Sequence, residues 1–484
     1  MSDHLFTYVI VLAVYLLGLV LIGLLTGRRT RNVEDFYLGG RKIGPWVTAF
    51  SFVAAYFSSV VIIGGGGFGY MFGLATLWIG AINVVLGTLA VWIILGPRIR
   101  EFTQRLKTMT IPGFLGKRYQ SNFALIFCAV IIVLFMIIYN VSILKGMGHI
   151  FQVLINIPYI YGVVLSGIII LFYVSVGGYL AVVWTGFTQA VVMGVSLLVL
   201  TIAALVSAGG LAAVNRSLEV INPGLIRTPG VWGWPGLLSF ALIVSFGVWG
   251  MPQLLVRFYS IKNIKVIRAG TVMATIGTCM ALLPYLNGAI ARVLFPNLAN
   301  PDLAIPTLAK NILSPFGAAI VLAGVVAAGM STFASVLIIL SGSIVQDVIR
   351  LGFKFNISKE KALALGKLSS ALIGLISIFI AFRPPALVLT LTAFSWAVIA
   401  STTLWPILFG LYWKGTTKKG CVYSMVGGSV TALVWMLAGK PWGIHGFIPG
   451  IVVGLILIVV VSLFTEKLPS ELLNTIYRQR ETGN

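Results

Sequence analysis

The residues able to do chemistry in this 484-residue chain are mostly neutral. Three cysteines (Cys128, Cys279, Cys421) and three histidines (His4, His149, His445) are scattered, with no CxxC and no metal-ligand spacing. No GxxxxGKS/T occurs, so ATP is not expected to drive the protein directly. No Asp or Glu lies well inside any apolar run, and Asp347 stands at the end of one. Acid–base catalysis and a carboxylate proton relay therefore lack carriers. Neutral oxygens remain. Ser331 and Thr332 are adjacent hydroxyls in an apolar run, and the carbonyl of Ala328, one turn earlier, faces the same side. A hard cation wants oxygen ligands, and hydroxyls with unwound carbonyls can supply them inside a bilayer. Taken alone, the pair is better explained by bonds to carbonyls of the preceding turn.

Two interrupted segments are the second signal. Ala54-Ala55-Tyr56-Phe57-Ser58-Ser59 leads into four glycines, Gly64 to Gly67, which weaken a helix there. Ser245-Phe-Gly-Val-Trp-Gly-Met-Pro252 combines two glycines with a proline that lacks a backbone donor.

The elements that position these residues follow from composition. Hydrophobic residues make up 59% of the chain and charged residues 9%, against roughly 25% charged in a soluble domain. A soluble enzyme or scaffold cannot hide that much apolar surface, and disorder requires the opposite composition. Long unbroken apolar runs, rather than alternating ten-residue segments, exclude a β-barrel. The 33 basic and 11 acidic residues give +22, which in a membrane chain reads as basic cytoplasmic loops and not as nucleic-acid binding.

A spanning helix needs about 20 apolar residues. Thirteen spans are predicted, at 6–26, 44–73, 75–97, 122–147, 158–176, 181–207, 236–257, 269–295, 314–347, 364–382, 386–413, 420–438 and 446–464. Arg28, Arg29 and Arg31 follow the first span, which reads as a retained helix and not a signal peptide. An outside N-terminus and inside C-terminus place 26 Lys and Arg inside and seven outside. The interrupted second and seventh spans stand five apart. Such segments at matching places in two halves point to inverted repeats, here spans 2–6 and 7–11.

Several motifs now accumulate. Glu34-Asp-Phe-Tyr-Leu-Gly-Gly-Arg41 lies in the first inside loop, and Gly177-Gly-Tyr-Leu-Ala-Val-Val-Trp-Thr185, with Gln189 beyond it, joins spans five and six. Pro252 precedes Val256-Arg257-Phe258, and Ala328-Gly-Met-Ser-Thr332 is followed by Asp347. Together, from about residue 5 to 464, these resemble the sodium:solute symporter family. Asn300-Pro-Asp-Leu-Ala-Ile-Pro-Thr307 and Leu404-Trp-Pro-Ile-Leu-Phe-Gly-Leu-Tyr-Trp413 look nearest to its pantothenate-type members. The resemblance implies an all-α polytopic membrane protein with a LeuT-type five-plus-five inverted repeat, one extra helix before it and two after. The divisions would be 1–43, 44–207, 208–235 (an extracellular loop), 236–413 and 414–484.

The resemblance also implies a sodium site in which Ala328, Ser331 and Thr332 meet the carbonyls of Ala54 and Phe57. Many relatives carry an aspartate after Trp-Thr, where this chain has Gly186, and some carry one in the first core helix, where it has Tyr56. A carboxylate-assisted second ion is therefore not expected. Tyr56, Ser58 and Ser59 would line one wall of a central cavity, and Ser245 and Trp249 the other. Tyr139 and Asn140 in span four and Phe394, Ser395 and Trp396 in span eleven are further candidates. For any single aromatic, ordinary packing is the better account, and Tyr56 and Trp249 stand apart because they sit at the breaks. Half-helix N-termini hold a carboxylate without a cationic side chain, which fits pantothenate or another monocarboxylate. Lys145 in span four is expected to snorkel to the outer interface; the alternatives are positive charge toward the solute and, with His149 one turn on, lipid headgroup binding.

The expected function is sodium-coupled symport of a small organic solute by alternating access in the plasma membrane. Na+ is the coupling ion, with no organic cofactor, no nucleic acid and no obligate protein partner. The competing expectations are an uncoupled or proton-coupled facilitator on the same scaffold and a solute-sensing membrane protein.

Overall fold

The computed structural model describes residues 2–384 and 386–477, with side chains from residue 5 onward. His4 and the end of the expected cytoplasmic tail therefore lie outside the described side chains. Every regular element among the described residues is helical, and one isolated bridge joins Ile43 and Ile261. Among the described residues, eleven helices are long and apolar enough to cross a membrane. Two of them are long enough for two crossings, since a helix rises about 1.5 Å per residue against a hydrocarbon core of about 30 Å. The 49-residue helix Tyr159–Ser207 holds Gly178 at φ 58° and ψ −150°. Only glycine enters that region freely, so the chain turns there without a side-chain clash. The 46-residue stretch Val60–Arg105 similarly contains Gly73 at φ 68° and ψ −149°.

Local sequence sets the helix ends. Ser121, Ser314, Ser358 and Thr417 cap Asn122–Leu154, Pro315–Gly342, Lys359–Ile380 and Lys418–Leu437 with side-chain oxygens. Each satisfies a donor that the first turn leaves free. Pro315 adds the fixed φ that suits a first helical position. Short helices Val33–Leu38 and Ile111–Arg118 connect spans, each capped by the residue before it, Asn32 and Thr110.

Span nine is the axis of the protein. Its apolar window is wholly buried, whereas the first helix buries 22% of its own. This contrast puts Ser331 and Thr332 at the centre and the first helix at the lipid-facing edge.

Both interrupted segments are broken helices. Span two is helical over Pro45–Tyr56, turns at Phe57 (φ −88°, ψ 85°) and resumes near Ser59, continuing to Phe72. The break thus falls before the four glycines and not at them. These glycines are helical, and other segments of the same chain pack against their bare surface. A Cβ on Gly66 would stand 2.2 Å from the Ile305 side chain, and one on Gly288 would stand 1.9 Å from the Gly66 carbonyl. Span seven is helical over Gly233–Ser245, tightens into a 3₁₀ stretch Phe246–Gly250, extends at Met251 and restarts at Pro252. Pro252, with no N–H to satisfy, opens that second half-helix.

Candidate functional site

The break in span two meets span nine. Ser331 Oγ lies 2.7 Å from the Ala54 carbonyl and 2.9 Å from that of Ala328. Thr332 Oγ1 lies 3.1 Å from the Ala55 carbonyl, 3.4 Å from Ala54 and 3.3 Å from Ala328. Each hydroxyl has one proton and more than one carbonyl in range. All these residues are buried. Tertiary contact therefore adds to the local bonding that the hydroxyl pair would make in any helix. Four of the five residues expected around a cation converge, and the Ala55 carbonyl joins them. Phe57 sits at the turn itself, and its carbonyl makes no bond to Ser331 or Thr332. The donor set is all neutral oxygen, which suits a hard cation bound reversibly.

The candidate solute residues fall into two groups. Tyr56 Oη reaches Asn83 Oδ1 at 2.8 Å and the Val244 carbonyl at 2.7 Å, and Ser245 Oγ donates to the same Asn83 oxygen at 2.6 Å. Tyr56 thus joins the break of span two to that of span seven through span three. Gly87 leaves the room, since a Cβ there would meet the Tyr56 hydroxyl at 2.1 Å. Trp396 stacks on Tyr56 (centroids 6.3 Å, 16°) and stands edge-on to Tyr139 (5.7 Å, 75°). Its buried indole N–H has no partner. Trp249 donates to the Leu86 carbonyl at 2.9 Å and packs against Phe246.

The remaining candidates make other contacts. Ser58 Oγ accepts from the Val60 N–H at 3.2 Å, which caps the restart of span two. Ser59 Oγ donates to the Ile143 carbonyl, and Ser395 Oγ to that of Leu391 in its own helix. Phe394 packs against Phe135 at 5.8 Å. Both amide atoms of Asn140 are buried without a hydrogen-bond partner.

Three structural partners went unassigned in the sequence. Asn83 is the first; an amide in the charge-free run 43–97 was its only signal. Arg257 is the second. Its buried guanidinium donates to Ser335 Oγ at 2.8 Å and to the Ser51 carbonyl at 3.4 Å, so it ties spans two and nine one turn along from the oxygen cluster. The third is Asp302, and it corrects the expectation for Lys145. That ammonium does not snorkel to the interface. It pairs with Asp302 Oδ2 at 3.2 Å and donates to the Ala386 carbonyl at 3.0 Å, while the Val388 N–H bonds the same carboxylate oxygen. The short elements Pro301–Leu303 and Ala304–Ile312 are thereby pinned over the glycine face of span two.

Two discontinuous helices, a neutral-oxygen cluster at their break and a wholly buried partner helix define a LeuT-like secondary transporter, not an enzyme. The sequence matches the sodium:solute symporter family over residues 36–428, and the chain belongs to that family. It is 30% identical over 471 residues to the osmoregulated proline transporter OpuE of Bacillus subtilis, covering 95% of each chain. It is 31% identical over 481 residues to a sodium/proline symporter of Staphylococcus aureus, covering 95% of this chain and 93% of that one. In fold it is similar to a sodium-coupled sialic acid symporter solved substrate-bound and outward-open. There the TM-score is 0.82 at 17% identity, over 95% of this chain and 98% of the other. A nucleobase-cation-symport-1 family transporter in a closed conformation is similar at TM-score 0.53 and 15% identity, over 92% and 99%. The chain is a multi-pass, sodium-coupled solute symporter.

Proposed function

We propose that the protein carries one sodium ion and one small carboxylate-bearing solute into the cell together, by alternating access across the plasma membrane. The observation that supports this most is the convergence of Ser331 and Thr332 on the carbonyls of Ala54, Ala55 and Ala328 where span two is broken. Those oxygens, with the carbonyl of Phe57 completing the set, would hold the ion. Gly186 contributes no side chain, which supports a single ion.

Solute recognition follows from the two breaks. The outer half of span two and the inner half of span seven both begin at the middle of the protein, so two half-helix N-termini face it. Their partial positive charge favours a carboxylate without any cationic side chain. Tyr56, Tyr139, Trp249 and Trp396 supply flat apolar walls, and such walls suit a compact solute. Proline is the first solute to test, because the two relatives above carry that name. Pantothenate and other monocarboxylates are the second.

The proposed topology has thirteen crossings, with Gly73 and Gly178 each separating two. Residues 44–207 and 236–413 form the inverted repeats, the N-terminus is outside and the C-terminus is inside. The 26-to-7 distribution of basic residues supports that orientation. Purified protein in proteoliposomes tests the function. Labelled proline or pantothenate should accumulate with an inward sodium gradient and not with choline. Equal uptake in both salts would favour an uncoupled facilitator, and uptake driven only by a proton gradient would overturn sodium coupling.

A further inference from the structure

Gln253 is a residue that neither motif nor charge pattern singled out. It occupies the first turn after the break in span seven, directly behind Pro252. It is wholly buried, yet neither its amide oxygen nor its amide nitrogen has a hydrogen-bond partner. An unpaired buried amide costs roughly 1–3 kcal/mol, so an empty pocket is a poor explanation for its presence. A ligand that arrives during the transport cycle is a better one.

Helix geometry says which ligand. Gln253 and Arg257 are four residues apart and share one face of Pro252–Ser260, and the Arg257 guanidinium also bonds the Gln253 carbonyl. Arg257 reaches Ser51 in span two and Ser335 in span nine. Ser51 lies one turn before Ala54 and Ala55, and Ser335 lies one turn after Ser331, whose carbonyl its hydroxyl bonds at 2.7 Å. The same guanidinium bonds the Gln253 carbonyl, the Ser51 carbonyl and the Ser335 hydroxyl, so the Gln253 backbone stands beside Ser51 and Ser335, within about one turn, or about 5.4 Å, of the oxygen cluster. Its side chain leans from there toward the break, because helical side chains point to the N-terminus.

We infer that Gln253 is a further ligand of the transported cargo: its amide oxygen coordinates sodium and its amide N–H₂ donates to the solute carboxylate. One neutral side chain would then touch both cargoes, so the binding of each would favour the other. This rests on the reading of Ser331 and Thr332 as ion ligands.

The test measures sodium binding, not transport. Protein in detergent is titrated with sodium chloride against choline chloride, and the rise in unfolding temperature gives an apparent sodium affinity. Gln253→Leu should weaken sodium at least fivefold and should remove the tightening of sodium binding by added proline. It should also unfold no earlier than the parent in choline, because it replaces an unpaired amide with an apolar group of similar size. Gln253→Glu keeps an acceptor oxygen and should retain sodium affinity within about twofold of the parent. If Gln253→Leu fails to fold, Gln253→Met carries the same expectation. Unchanged sodium affinity and unchanged solute coupling in the Leu or Met variant overturn the inference. A Glu variant that loses sodium as fully as Leu does overturns it also. Ser331→Ala/Thr332→Ala is measured alongside. Sodium binding lost there but intact in Gln253→Leu refutes only the role of Gln253. Sodium binding intact in the double variant refutes the ion-site reading itself.

Discussion

Lys145→Met tests the buried ion pair with Asp302. The ammonium of Lys145 and the carboxylate of Asp302 are 3.2 Å apart, with side chains 10% and 2% exposed. Removing one partner of a buried pair leaves an uncompensated charge, at a cost of about 3–5 kcal/mol. Asp302 would keep the Val388 N–H, which places the expected loss at the low end, about 3 kcal/mol. Adding Asp302→Asn on the Lys145→Met background removes the stranded charge and leaves a side-chain oxygen for Val388, so at least half of the loss should return. Equilibrium unfolding in detergent micelles, followed by tryptophan fluorescence, gives all four corners of the double-mutant cycle. A Lys145→Met protein within about 1 kcal/mol of the parent would show that the pair is solvated, as exposed pairs are. A double variant no more stable than Lys145→Met alone would show that the loss came from packing of the lysine stem. Either result would refute the reasoning.

Three other outcomes follow from the same geometry. Ser331→Ala/Thr332→Ala should abolish sodium stimulation of uptake while insertion and folding persist, and the parent's apparent sodium Hill coefficient should be near one; a coefficient near two would refute the single ion. Trp249→Ala should weaken solute binding by roughly 1–3 kcal/mol, while Trp249→Phe keeps a ring and loses only the bond to Leu86, so it should cost less; equal binding in all three proteins by solute titration would remove Trp249 from the pocket. Burial pushes the His445 imidazole down from its ordinary value of 6.5 to about 3. The unfolded chain therefore binds that proton more readily, so this contribution to stability is full above pH 6.5 and is lost as pH falls toward 3. Acidification from pH 7 to 5 should lower the unfolding temperature of the parent more than that of His445→Asn, and parallel curves would refute the assignment.

Sequence alone settled whatever depends on composition and local pattern. Apolar runs of membrane-crossing length require helices because only a helix satisfies its own backbone in lipid, and Met251-Pro252 marked one break by removing a donor. Adjacent Ser331 and Thr332 were visible as possible ligands, but taken alone they were better explained by local bonding, and only the family resemblance favoured a cation site before span two was seen to face them. Tertiary structure decided what depends on distant partners. The glycines of span two suggested a break, yet they serve close packing, because the neighbours that fill the space, Ile305 and Leu389, come from remote parts of the chain. Lys145 looked like an interfacial anchor for the same reason: its counter-charge, Asp302, is 157 residues away. Asn83 and Gln253 stayed silent because a lone polar residue in an apolar run has no periodicity to read, and Arg257 entered only as part of a motif, with no partner assigned. What such a residue does is set by which helices meet around it, and that is a property of the fold.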